Sequence, residues 1–257
     1  VLTRKRWVVL AGLALVALGG AWIVQRAADH RRADRLVAAD PDIVLADPSL
    51  RDAAMPVGKA VFAARCAACH GETGHGSAAK GVPDLTDGDW LYGEGRVSEI
   101  EQIVLHGIRS GDPRGWALAD MPAYASPDPY PREHIGPLRP TEISDVATYL
   151  RALHGDRVDA DAAMRGKAIY GGKGGCWDCH GGDASGDPAI GAPNLLDDVW
   201  LYGDGSKASI ARSIAYGRKG AMPAFSHALT AVQARAVAVY AATFSHQSED
   251  GPRHVAQ

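Results

Sequence analysis

Apolar and polar positions divide this chain into one long uncharged run and a series of helical stripes. Residues 7–24, from Trp7-Val8-Val9-Leu10 to Ile23-Val24, carry no charge. That length just suffices for a helix to span a bilayer. Further on, Ile143, Val146, Ala147, Leu150 and Leu153 recur at helical spacing behind a capping Thr141. Val232, Ala236, Val237, Tyr240 and Phe244 do the same behind Thr230. Shorter helices are predicted at 59–65 and 167–171. Gly- and Pro-rich loops join these elements, and the predicted class is all-α.

The stripes belong to a tandem repeat. Gly58-Lys59-Ala60-Val61-Phe62 returns as Gly166-Lys167-Ala168-Ile169-Tyr170. From Cys66 and Cys176 onward the copies stay in register. Pro83-Asp84-Leu85 matches Pro193-Asn194-Leu195, and Trp90-Leu91-Tyr92-Gly93 matches Trp200-Leu201-Tyr202-Gly203. Gly107-Ile108-Arg109 lies opposite Gly217-Arg218-Lys219, and Met121-Pro122-Ala123-Tyr124 matches Met222-Pro223-Ala224-Phe225. The first copy holds an insertion within 110–120. Each copy reads as helix, Cys-His motif, long loop, short helix, Met loop and final helix. The expected divisions are an N-terminal segment at 1–35, a Pro-containing linker at 36–56, a first domain at 57–155, a linker at 156–164, a second domain at 165–247 and a tail at 248–257.

Charge is unevenly spread. Residues 1–35 carry Arg4, Lys5, Arg6, Arg26, Arg31, Arg32 and Arg35 against Asp29 and Asp34, a net +5. With −3 overall, the remainder is −8. An acidic body of this kind excludes a nucleic-acid binder and suits a Lys/Arg-rich partner surface, or simply solubility. The basic cluster before the apolar run favours a cytoplasmic N-terminus, although Arg26, Arg31 and Arg32 after it blur that signal. A cleaved signal peptide is the alternative, with Ala17-Leu18-Gly19 or Gly19-Gly20-Ala21 as cleavage sites. The length of the run and Trp22-Ile23-Val24 beyond those sites favour a retained anchor.

All four cysteines lie in two Cys-x-x-Cys-His motifs, Cys66-Ala67-Ala68-Cys69-His70 and Cys176-Trp177-Asp178-Cys179-His180. This is the spacing of covalent c-type haem attachment. Each pair of thiols takes one haem through thioether bonds, and the following His becomes the proximal iron ligand. A zinc site or a thioredoxin-like pair needs further ligands or a βαβ setting, and the chain offers neither. Two c-type haems are therefore expected. Bacterial c-type haems are attached outside the cytoplasm, so the expected location is the inner membrane, single-pass, with both domains in the periplasm. Gly171-Gly172-Lys173-Gly174-Gly175 runs into a Cys-His motif and is read as a flexible turn, not a phosphate loop.

Both repeats resemble class I cytochrome c folds. That resemblance implies that the Pro83 and Pro193 carbonyls hold the rings of His70 and His180. It implies sixth ligands at Met121 in the first domain and Met222 in the second, where such folds place a thioether. Soft sulfur stabilises ferrous iron and raises the potential. Met55 and Met164 are read as packing residues. His106, whose counterpart is Tyr216, is the main rival ligand in the first domain but is read as a surface or core histidine, and His75 lies too near the motif to reach the distal face. The Trp-Leu-Tyr-Gly segments are expected on haem edges or in the core, and Trp177 near an exposed haem edge as a docking residue.

The motif order from 57 to 245 resembles subunit III of cbb3-type cytochrome c oxidases. The segments that carry it are Ala192-Pro193-Asn194-Leu195, Asp198-Val199-Trp200-Leu201-Tyr202-Gly203 and Met222-Pro223-Ala224-Phe225, with their counterparts in the first copy. The resemblance implies a membrane-anchored dihaem electron carrier. It would take electrons from a soluble cytochrome c or a quinol-oxidising complex and feed a haem–copper oxidase, without catalysis of its own. The same module also serves as a tethered shuttle or a dehydrogenase subunit. A dihaem peroxidase needs one open iron site with an acid–base residue beside it, and a gas sensor needs a displaceable Met.

Overall fold

The computed structural model describes residues 2–130 and 135–249, with the side chains of 2–12, 14 and 246–249 outside the description. Among the described residues all regular structure is helical, and pairing elsewhere is limited to isolated bridges. Helix α1, Leu2–Ala38, runs unbroken through the apolar stretch at 7–24. Leu13, Leu15, Val16, Leu18, Trp22, Ile23 and Val24 on it are all exposed. Among the described residues no helix is long and apolar enough to cross a membrane. The expected span lies partly on side chains outside the description, as residues 250–257 of the expected tail lie wholly outside it.

The expected linker at 36–56 is folded instead. Leu36, Val44, Leu50 and Ala54 from this segment are buried in a core. Pro48 does not break the chain here. It occupies the first turn of α2, Pro48–Val61, where a missing N–H costs nothing. The Asp47 carboxylate caps that turn, accepting from the Ser49 and Leu50 amides at 2.8 and 3.1 Å. Asp42, in a short turn before it, accepts from the amide and hydroxyl of Ser98, both at 2.8 Å. The expected 156–164 linker is shorter than predicted too, because α6, Ala160–Tyr170, begins inside it behind the Asp159 cap.

The remaining helices are α3 (Ala67–His70), α4 (Val97–His106), α5 (Pro140–Leu153), α7 (Cys176–His180), α8 (Lys207–Tyr216) and α9 (Ala231–Glu249). Their packing departs from the repeat. The final helix of the second copy, α9, packs on α2 and α4 of the first, while α5 of the first copy packs on α6 and α8 of the second. Two cores result. Unit A joins Leu50, Phe62, Ile100 and Val104 to Val237 and Val239, with Met222 and Phe225 against them. Unit B joins Ile143, Val146 and Leu150 to Tyr170, Ile210 and Ile214, with Met121 and Trp200 against them. The expected domains 57–155 and 165–247 therefore do not match the packed units. Unit B is one continuous stretch with its Met loop and closing helix placed first, and it is inserted into unit A.

The repeated Gly-Lys pair explains the close helix crossings. A Cβ on Gly58 would lie 2.1 Å from the Ala236 carbonyl oxygen on α9, and one on Gly166 would lie 2.1 Å from that of Asp145 on α5. Only glycine permits this backbone approach. Gly58→Ala and Gly166→Ala are each expected to cost about 1–3 kcal/mol by forced separation of the helices. Thermal melts of the two variants test this, and a change within about 0.5 kcal/mol would contradict it.

Inside each unit, where the two copies meet, a reciprocal seam forms. Ile108 and Met222 exchange backbone hydrogen bonds at 2.9 Å each, and Met121 and Arg218 exchange theirs at 3.0 and 3.2 Å. The Phe225 amide bonds the Val104 carbonyl, as Tyr124 bonds that of Ile214. Each Met loop is thus laid on the end of the short helix from the other copy.

Candidate haem cavity

Both Cys-His motifs wind into a single helical turn. Cysteines at i and i+3 then share a face, and the following His lies one residue on. In the first copy the motif is reached through a π-helical turn, Phe62–Cys66, the kind of irregularity that often re-aims side chains at functional sites. Gly71 and Gly181 end the turns at φ 76° and 78°, in the left-handed region that favours glycine. None of the four thiols is in a disulfide.

A cavity of about 490 Å³ is lined by both motifs, by His70 and His180, and by Met121 and Met222. Its remaining walls are largely apolar, including Leu91, Ile135, Leu150, Leu201 and Phe225. His180 Nδ1 lies 3.0 Å from the Pro193 carbonyl oxygen, which leaves Nε2 for a metal. At His70 the Nδ1 is buried without a normal hydrogen bond, although the Pro83 carbonyl partly offsets the effect of burial on the ring. Burial pushes both imidazoles toward the neutral form, the one that ligates metals. Burial also raises the Cys66 thiol, and that of Cys176 to about 11. Apolar walls, paired thiols and neutral imidazoles fit one c-type haem on each motif.

The structure places the two methionines differently from the sequence expectation. Met121 packs in unit B with Cys176, and Met222 in unit A with Cys66. Each thioether therefore shares a unit with the other copy's His. His106 is buried, with Nδ1 3.0 Å from Asp112 of the insertion, and it does not line the cavity. His75 sits outside, 3.2 Å from Asp84. Trp177 is 48% exposed. Met164, expected as a packing residue, is 64% exposed, while Met55 is half-buried.

The Trp-Leu-Tyr-Gly segments were expected on haem edges or in the core, but their reach between the copies, and other cavity residues, escaped the sequence reading. The Tyr of each Trp-Leu-Tyr-Gly segment crosses the seam. Tyr92 lies against Gly191 and Tyr202 against Gly81, on the loops that carry Pro193 and Pro83. Tyr124 donates to the Gly174 carbonyl beside Cys176. Arg109 and Arg218 also line the cavity. The Tyr crossings had a signal, a repeated aromatic beside repeated glycines. The arginines had none, because Arg218 lies opposite Ile108 in the repeat. Near the seam, burial holds the Asp87 carboxyl up at about 6, and Asp84, Asp89 and Asp197 add repulsion. This group favours the folded state at low pH. That contribution is lost as pH rises from the ordinary Asp value through about 6.

Comparisons with known proteins follow the two sequence copies. Residues 57–154 match the family described as Cytochrome c, and residues 161–240 match the one described as Cytochrome C oxidase, cbb3-type, subunit III. The Cbb3-type cytochrome c oxidase subunit FixP of Bradyrhizobium sp. (strain ORS 278) is 42% identical over 196 residues, which cover 76% of this chain and 62% of that protein. Subunit CcoP of Rhodobacter capsulatus is 40% identical over 215 residues, covering 80% of this chain and 68% of that protein. CcoP of Azospirillum brasilense is 37% identical over 229 residues, covering 85% and 73%. The chain thus spans about three-fifths of the FixP relative's length.

Proposed function

We propose, because this chain belongs to the family of subunit III of cbb3-type cytochrome c oxidases, that it is the dihaem electron-transfer subunit of a membrane haem–copper oxidase. The single observation that carries the reading is the shared cavity, with two Cys-His motifs and two methionines on its walls. Bound haem supplies a one-electron ferrous–ferric couple. The chain's own residues fix where that couple sits and what reaches it.

Cys66 and Cys69 hold one haem, and Cys176 and Cys179 the other. His70 and Met222 would hold the first iron, and His180 and Met121 the second, which would draw the two ligands of each from different repeats. With both a His and a Met supplied to each iron, these residues would keep small molecules away and limit rearrangement on electron transfer. This argues for a carrier over a peroxidase, as does the absence of His106 from the cavity wall. The soluble body lies outside the cytoplasm, and α1 anchors it in the inner membrane. The exposed apolar residues of α1 support that anchoring, since such a surface is costly in water. Donors are a soluble cytochrome c or a quinol-oxidising complex, and an acidic body suits a basic donor. Trp177 stands exposed beside its haem thiols as a docking residue.

The test has two parts. Gentle detergent extraction, native separation and haem staining should place the chain in a large band with b-type haem and copper that oxidises cytochrome c. Migration alone, with two c-type haems and no copper, would favour a tethered shuttle. The ligand exchange is read in a variant that keeps only the second motif, made by Cys66→Ser and Cys69→Ser. There, Met121→Leu should abolish the methionine–iron absorbance band completely, and Met222→Leu should leave it. The opposite pattern would return each methionine to its own repeat.

A further inference from the structure

The cavity contains charge that the axial ligands do not use. Arg109 and Arg218 are half-buried on its wall, and neither forms an ion pair with a carboxylate among the described residues. The other acid–base pair at the seam is already closed, Lys219 to Asp120 at 3.3 Å. A guanidinium stays charged at any physiological pH, and removing one from water without a counter-ion is costly. Both groups are held in place. Arg109 donates from Nε to the Gly220 carbonyl and from Nη1 to that of Ala119 at 2.8 Å. Those bonds leave its Nη2 hydrogens unused. Arg218 donates from Nε and Nη2 to the Ser213 hydroxyl at 3.0 and 2.9 Å, and lies 4.2 Å over the Tyr202 ring. Its Nη1 is unused.

Two further observations point the same way. Arg109 has φ 47°, a left-handed conformation that a non-glycine side chain rarely adopts without cause. Tyr92 lines the same cavity at 5% exposure, and its hydroxyl is buried with no hydrogen-bond partner. A buried orphan hydroxyl carries a desolvation penalty that a bound acceptor would remove. Two pinned cations therefore sit on a largely apolar cavity wall, with an orphan hydroxyl buried beside it; of the carboxylates on that wall, Asp120 is taken by Lys219 and Asp178 pairs with neither arginine.

We propose that Arg109, Arg218 and Tyr92 form a carboxylate-binding cluster at the seam that takes the propionate groups of the two haems. This rests on the two-haem reading above. In this role the residues are positioning groups, and they also set redox poise. A fixed positive charge beside a haem, or a hydrogen bond that masks a propionate, disfavours the ferric state and raises the potential. Arg218 stands where the first repeat has Ile108, so the cluster is lopsided between the two halves. The two haems are thereby given unequal potentials, although their axial ligand types are the same.

The experiment is a potentiometric titration of the detergent-solubilised full chain, followed by haem absorbance, for the parent, Arg218→Gln, Arg218→Lys and Tyr92→Phe. Haem content and the methionine–iron band are recorded for each. Arg218→Gln should lower at least one midpoint by about 59 mV, a tenfold change in the reduced-to-oxidised ratio of a one-electron couple. Both haems and the methionine band should be retained. Arg218→Lys, which keeps the charge, should recover most of the shift. Tyr92→Phe, which keeps the ring packing and is the variant safest for folding, should shift in the same direction by less. Unchanged midpoints in Arg218→Gln and Tyr92→Phe, with two haems bound, would overturn the cluster. A shift seen only with loss of the methionine band, and unrelieved by lysine, would reduce Arg218 to a structural brace and equally overturn it. An unmodified chain without covalent haem would instead overturn the two-haem reading itself.

Discussion

Arg235→Met is expected to lower stability by about 3–5 kcal/mol, the cost of leaving one partner of a buried ion pair alone. Arg235 is 7% exposed on α9, and its Nε lies 2.7 Å from Glu101 of α4, which is itself 8% exposed. Its Nη1 donates to the Leu36 and Ala39 carbonyls at 2.9 Å each. One guanidinium thus ties together three segments of unit A: α4, α9 and the end of α1. The substitution leaves the Glu101 carboxylate buried and two carbonyls at the end of α1 unsatisfied. For a chain of this size the loss corresponds to a fall in melting temperature of roughly 6–20 °C. Arg235→Met with Glu101→Leu should recover much of it, since an apolar pair of similar volume removes the stranded charge. Melting followed by near-ultraviolet circular dichroism on the haem-loaded protein makes the comparison. A single variant that melts with the parent would show that the pair contributes nothing net.

Cutting the chain along its sequence repeats should fail, and cutting it along its packed units should succeed. The fragment 57–155 has the first Cys-His motif but only the last turn of α2 and no α9, so that turn and α4 would expose the apolar faces that α9 covers. The fragment 119–220 holds the Met121 loop, α5, α6, the second motif and α8 in one stretch, with the unit B core complete. When both are exported with the haem-attachment machinery, 119–220 should accumulate with one covalent haem and a methionine–iron band. The fragment 57–155 should be degraded or show no such band. Equal yields of six-coordinate haem from both would mean that the exchange of helices is optional.

Much of the site was legible in the sequence because its chemistry is local. The Cys-His motifs wind into helical turns, His180 Nδ1 meets the Pro193 carbonyl as the cytochrome c resemblance implied, and the final helices form where the apolar spacing predicted them. The exchange was not legible, because Ile143-Val146-Leu150 and Val232-Ala236-Tyr240 offer similar apolar stripes to either partner. One signal did bear on it. Only a short connection separates α5 from α6, and helices joined by so short a turn usually pack as neighbours. The segment 36–56 was misread because Pro41, Pro48 and Pro56 look like breakers. Pro48 in fact starts a helix, and Pro56 is carried within it while Leu50 and Ala54 anchor its buried face.

Unit B's insertion into unit A separates the order of synthesis from the order of completion. Its helices are close in sequence, so a chain emerging from the amino end can close unit B once Tyr216 has appeared. Unit A cannot close until α9 arrives to meet Gly58, a pairing of very high sequence separation and therefore slow to form. The first Cys-His motif is made earlier but sealed later. It remains open to haem attachment throughout the time the second half is being made and folded.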